Sequence, residues 1–213
     1  MIHGITFVRI PKNASTSIYQ ALGKANTIRD DRLYPFMWRH TPRYRGLFAP
    51  SHCLLSEAIA ELGAKIKTVP SFAVVRNPYE RMVSMYGYAK KHDLFYMYGH
   101  QRLSFRDFCA AFEKLATEDK HFFHAYPQLR FITIEDGSES KIAVDRVLRF
   151  ESLAAQFKEF ILDYEFDKRA VSLALPHLNA SQHEPYDDYY CPRSQGVIER
   201  VWGEDLDAFG YTF

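Results

Sequence analysis

At 213 residues the chain is long enough for one sizeable α/β core and short for two, so a single domain over residues 1–213 is predicted. Its 27 basic and 26 acidic residues leave a formal net charge of +1, which argues against a bulk polyanion-binding surface and against nucleic acid as a partner; any anion site is local. Three cysteines, Cys53, Cys109 and Cys191, are odd in number and widely spaced, which suits reduced thiols better than a disulfide framework or a zinc cluster.

In chain order, residues 4–10 read as a buried strand that begins almost at Met1 and leaves no room for a signal peptide. No apolar run approaches the roughly twenty residues that span a bilayer. A helix is predicted over 17–24, with Ser17 and Gln20 at capping-box spacing and Ile18, Ala21 and Leu22 on the apolar face. From Thr27 to Pro50 three prolines mix with Trp38, Arg39, His40, Arg43, Tyr44 and Arg45, the composition of a long irregular segment over an active face. A helix at 54–63 and a strand at 71–76 follow, then a helix at 78–91 opened by Asn77, Pro78 and Glu80. Further helices are predicted near 103–117, 152–163 and 194–202, and strands at 129–134 and 145–150. Strands alternating with helices imply an α/β fold: a mainly parallel central sheet covered by helices on both faces, with ligands at the carboxyl ends of its strands. No internal repeat is present.

Two segments lie at such strand ends. Pro11-Lys12-Asn13-Ala14-Ser15-Thr16-Ser17 puts a lysine and three consecutive hydroxyls where a strand turns into a helix. Unpaired N–H groups and the positive end of the helix dipole make that a place for an anion. Arg76-Asn77-Pro78-Tyr79-Glu80-Arg81-Met82-Val83-Ser84 repeats the layout after Phe72-Ala73-Val74-Val75, with two arginines and a serine. Two anionic groups on one ligand are the economical reading. Neither segment is a Walker A loop, which places glycines ahead of its lysine, whereas Lys12 precedes the hydroxyls in a loop without glycine.

In order, spacing and flanking strands, the two segments resemble the donor-binding signature of the sulfotransferases that use 3′-phosphoadenosine 5′-phosphosulfate (PAPS), and most closely the carbohydrate O-sulfotransferases of the 2-O-sulfotransferase-like branch. There a P-K-x-x-x-T-S loop holds the 5′-phosphosulfate and an R-x-P-x-x-R-x-x-S element the 3′-phosphate. Ser15 stands where the family often has glycine; a positive φ there would strain serine. The resemblance implies a P-loop-like three-layer fold and transfer of a sulfuryl group in line from PAPS to an acceptor hydroxyl, on a glycan or small glycoside, leaving 3′-phosphoadenosine 5′-phosphate (PAP). It implies donor contacts from Lys12, Asn13, Ala14, Ser15, Thr16, Ser17, Arg76 and Ser84, and no metal. Members in animals are usually anchored in the Golgi by an N-terminal helix. This chain starts where their catalytic domain starts, so it is expected in the cytoplasm, or in the Golgi lumen if an anchor was removed.

Lys12 is expected beside the phosphosulfate, neutralising charge on the bridging oxygen as the S–O bond breaks. At least one of Ser15, Thr16 and Ser17 is a helix cap; three exceed what capping requires. Arg81 is either a ligand or a structural partner of Glu80, Asp107 or Glu151. An acceptor hydroxyl needs a general base, and His52, in Ala49-Pro50-Ser51-His52, is the candidate because the resembling branch carries a histidine base there. His40 and Glu57 are the reserves. His177-x-Asn179-x-Ser181 resembles a downstream element near the nucleotide, with an Asx or Ser turn as the alternative. Tyr186, Asp187, Asp188, Tyr189 and Tyr190 form either a lid or acceptor loop, or solvated surface. Trp38, Arg39, Arg43 and Arg45 suit an acidic or sulfated sugar or an ordinary mixed loop. The rival functions are an ATP-using P-loop kinase, which would depend on magnesium, and a non-catalytic nucleotide-binding module.

Overall fold

The structure is a computed structural model and describes residues 5–22, 52–63, 68–164, 171–175 and 184–213. The Thr27–Pro50 segment expected to be irregular, with Trp38, Arg39, His40, Arg43 and Arg45, lies outside the described residues, as do His177, Asn179 and Ser181. The chain divides into two compact units, one of Met1–Val75 with Leu129–Asn179 and one of Arg76–Gln128 with Ala180–Phe213.

The first unit is built on a parallel three-stranded sheet in the order β1 (Thr6–Val8), β2 (Ser71–Val75), β5 (Arg146–Arg149). Every residue of β1 and β2 is buried, so both faces of these strands are covered. That explains why they read as continuous apolar runs rather than alternating ones. Phe7 pairs with Phe72 in register and their rings stack at 4.8 Å; Phe72 also meets Phe160 at 4.7 Å. Phe160 belongs to helix α6 (Leu153–Asp163), which with α1 (Ser15–Leu22) completes a core of Ile5, Ile18, Leu22, Val74, Leu148 and Phe157. At the start of β2, the Asp145 carboxylate accepts from both the N–H and the hydroxyl of Ser71 at 2.7 Å, pinning β5 against β2. Helix α2 (Leu55–Leu62) also belongs to this unit.

One predicted element is corrected. The expected strand at 129–134 is helical through Ile132 (α5, Gln128–Ile132), and the strand β3 starts at Thr133. It pairs antiparallel with β4 (Glu139–Ile142) as an exposed hairpin apart from the parallel sheet. The two-residue turn Gly137-Ser138 closes it with Gly137 at φ +68°, a signal for a hairpin that the apolar run before it had masked.

The second unit is helical: α3 (Pro78–Lys91), α4 (Phe105–Glu118) and α7 (Pro192–Phe209), which continues well past the expected end at 202. Trp202 sits at a kink in α7 with φ −130°, fully buried, its indole N–H donating to the Ala125 carbonyl at 2.9 Å. Phe112 lies 5.3 Å from the Trp202 ring and itself meets Phe122 at 5.1 Å and Phe108 at 6.3 Å. Among the described residues no helix is long and apolar enough to cross a membrane.

Candidate functional site

In the first unit the chain leaves β1, turns through Pro11–Ala14 and enters α1 at Ser15. Lys12 and Ala14 both take left-handed backbone, at φ +71° and +56°. The positive φ that the glycine of related loops suggested at position 15 thus falls on its neighbours instead. Each such non-glycine residue costs on the order of 1–3 kcal/mol, and strain of this kind persists only where surrounding bonds impose it. Two bonds do so here. The Asn13 amide donates to the Val74 carbonyl at 2.7 Å, and the Ser15 hydroxyl donates to the Ile10 carbonyl at 2.8 Å. The first ties the loop to β2 and the second folds it back on its own strand. The loop opens onto the N-terminus of α1, where unpaired backbone N–H groups favour an anion.

The residues assigned to this loop divide accordingly. Asn13 and Ser15 are buried and hold the loop; the Ser15 oxygen can still accept but its proton is committed to Ile10. Lys12 and Ala14 are half-buried, Thr16 is exposed and Ser17 is buried.

His52 lies beside the same strand end. Its Nδ1 is 3.0 Å from the carbonyl of Arg9, three residues before Lys12. A carbonyl only accepts, so Nδ1 carries the proton and the lone pair of the neutral ring is on Nε2, the arrangement a general base requires. Glu57, the reserve base, is engaged elsewhere: its Oε2 accepts from the Leu54 N–H at 2.9 Å and caps α2.

In the second unit Asn77 caps α3, its side-chain oxygen accepting from the Tyr79 N–H at 2.9 Å, with Pro78 in the first turn. Arg76, just before the cap, is buried, and its Nε donates to Glu80 Oε2 at 3.1 Å. Glu80 and Ser84 are one helical turn apart on one face of α3, and Ser84 is buried. Arg81 points a different way. It is fully buried, its guanidinium 4.4 Å from the Trp202 ring and 3.8 Å from Asp205, donating to the carbonyls of Tyr126 at 3.2 Å and His124 at 3.3 Å. The carboxylate facing it, Asp205, was not among the three weighed from the sequence. Glu80 serves Arg76, and Asp107 accepts from Ser104 at 2.6 Å. Burial lowers the Arg81 pKa to about 10, with Asp205 opposing, so the group stays charged near neutrality.

The tyrosine-rich segment is packed rather than merely solvated. A 3-10 turn at Tyr186–Tyr189 leads to Tyr190, whose hydroxyl donates to the Tyr79 carbonyl at 2.9 Å. The Tyr190 ring meets Phe105 at 4.9 Å and Tyr79 at 5.4 Å, and burial pushes its pKa up. Asp187 and Asp188 are exposed.

Two residues that the sequence reading missed organise this unit. Gln128 is fully buried; its side-chain oxygen accepts from the Arg76 N–H and its amide donates to the Arg76 carbonyl, both at 2.9 Å. Asp205 is fully buried and accepts from the Gln128 N–H at 2.7 Å. A trace of Asp205 was legible, because Ile198, Trp202, Asp205 and Phe209 follow helical spacing on one buried face, and an acid among them demands a partner.

Neither the curated proteins nor the solved structures provide a match to the chain. A model of the sulfotransferase family, however, matches residues 2–212. That match covers nearly the whole sequence, including the strained lysine loop, the histidine at the end of β1 and the buried arginine before α3, and with it the chain belongs to the sulfotransferase family.

Proposed function

We propose that the chain transfers a sulfuryl group from PAPS to an acceptor hydroxyl on a carbohydrate, within a P-loop-like three-layer fold in a reducing, cytoplasmic setting. The observation that carries the reading is the Lys12–Ser15 loop. Its two left-handed residues are held by Asn13 and Ser15 at the N-terminus of α1, and the fold bears this strain where an anion would sit. The three cysteines are free thiols, as a reducing compartment requires. The carbohydrate acceptor rests on the likeness of the two motifs to the 2-O-sulfotransferase-like branch.

In this reading the backbone N–H groups of the loop and Thr16 take the 5′-phosphosulfate, and Arg76 and Ser84 take the 3′-phosphate. The acceptor oxygen attacks sulfur as the bond from sulfur to the bridging phosphate oxygen breaks. Its proton passes to Nε2 of His52. PAP departs with the electron pair on the bridging oxygen, where the Lys12 ammonium offsets the growing charge. Asn13 and Ser15 hold the loop ready, so little reorganisation is needed as the charge moves.

Thermal-shift titration with PAP, AMP, ADP and magnesium-ATP tests the proposal. PAP is expected to stabilise the protein far more than AMP or ADP, since both lack the 3′-phosphate. Arg76→Ala is expected to remove most of that preference, about 1.5–3 kcal/mol for a charge-assisted contact. Equal stabilisation by PAP, AMP and ADP refutes the reading, and a preference for magnesium-ATP indicates a kinase.

A further inference from the structure

A residue that has just left a strand must find new partners for its own N–H and C=O groups, and water, the usual partner, leaves its torsions loose. Arg76 follows β2 directly, and its two backbone groups are both taken by one side chain, the Gln128 carboxamide, at 2.9 Å each. Such a planar group, bonded on both sides, replaces the neighbouring strand that Arg76 lacks. Gln128 is in turn fixed. It is fully buried, and its own N–H is held by Asp205, which faces the Arg81 guanidinium against Trp202. The direction in which the Arg76 side chain departs is therefore set by a chain of buried contacts reaching back to α7.

We propose that Gln128, held by Asp205, is a positioning residue for donor binding: it fixes the Arg76 backbone so that the guanidinium meets the 3′-phosphate. The inference rests on the assignment of that phosphate to Arg76. A guanidinium binds phosphate through a rigid fork, and such a site has to be held within about 0.5 Å and 10–20°. Gln128 bonds the Arg76 backbone, so its loss acts through Arg76. The signature is a loss of discrimination for the 3′-phosphate rather than of nucleotide binding in general. A carboxamide presents the acceptor for the N–H and the donor for the carbonyl side by side in one plane.

The test is a calorimetric comparison of PAP and ADP binding to the unsubstituted protein, Gln128→Met and Arg76→Ala. Methionine keeps the length and volume of glutamine and removes both bonds. Gln128→Met is expected to weaken PAP about tenfold or more while ADP changes by less than about twofold, the scale of a misplaced binding group. If Gln128→Met keeps the PAP preference and Arg76→Ala loses it, the positioning role is overturned and the donor assignment stands. If Arg76→Ala itself keeps the preference, both fall. An equal loss for PAP and ADP in Gln128→Met marks a merely structural residue and overturns the inference as well. Should Gln128→Met fail to fold, Gln128→Asn carries the same comparison, because it retains the carboxamide but is one methylene too short to reach both backbone groups.

Discussion

Replacing Asp205 by leucine leaves the Arg81 guanidinium in the core of the second unit without its counter-charge. Both side chains are fully buried and 3.8 Å apart, so water cannot take over. Breaking a buried pair from one side costs about 3–5 kcal/mol. The same carboxylate accepts from the Gln128 N–H, and orphaning that buried donor adds about 1–3 kcal/mol. The expected loss is therefore about 4–8 kcal/mol, comparable to the whole stability of an ordinary domain. Arg81→Met combined with Asp205→Leu removes the stranded charge, while the Gln128 N–H and the carbonyls of His124 and Tyr126 each lose one hydrogen bond. The double variant is accordingly expected to be more stable than Asp205→Leu alone by about 2–4 kcal/mol, a favourable coupling that a cycle of urea titrations resolves. A cost below about 1 kcal/mol for Asp205→Leu, the range of an exposed pair, would show that the pair is solvated and refute the reasoning.

Ala14→Gly is expected to stabilise the protein by about 1 kcal/mol, against the usual cost of a new glycine, because Ala14 sits at φ +56°; a lower melting temperature would contradict the left-handed assignment. Lys12→Ala is expected to reduce kcat more than PAPS affinity, since the charge it faces grows as the leaving phosphate departs; turnover and binding both unchanged would remove Lys12 from the site. His52→Ala is expected to lower turnover about 10²–10⁴-fold with PAP binding intact. Because the base acts only in its neutral form, the rate of the unsubstituted enzyme is expected to rise with pH as the imidazole loses its proton, and the substitution to flatten that limb. An active His52→Ala enzyme with the same pH profile would move the base elsewhere.

The parts of this protein that were legible in its sequence are those encoded by near neighbours. Continuous apolar runs marked the buried strands β1 and β2, and Asn77-Pro78 with Glu80 marked the start of α3, because capping depends on residues within one turn. The lysine-and-hydroxyl loop and the arginine-and-serine helix start stood out as motifs for the same reason. Tertiary structure alone decided what each polar group does. Periodicity places Arg81 on a face of α3, but that this face turns inward to Asp205 and Trp202 depends on where α7 packs. Ser15, one of three equivalent hydroxyls in the sequence, became a loop clamp because the Ile10 carbonyl lies within reach, and Asn13 became a tie because Val74 does. Gln128 drew no reading from the sequence, lying just before the strand predicted at 129–134, yet it serves as the hydrogen-bonding neighbour that Arg76 loses on leaving β2. Buried polar groups must find partners, and those partners are distant in sequence; local pattern names the groups that need one, and only the packed chain supplies it.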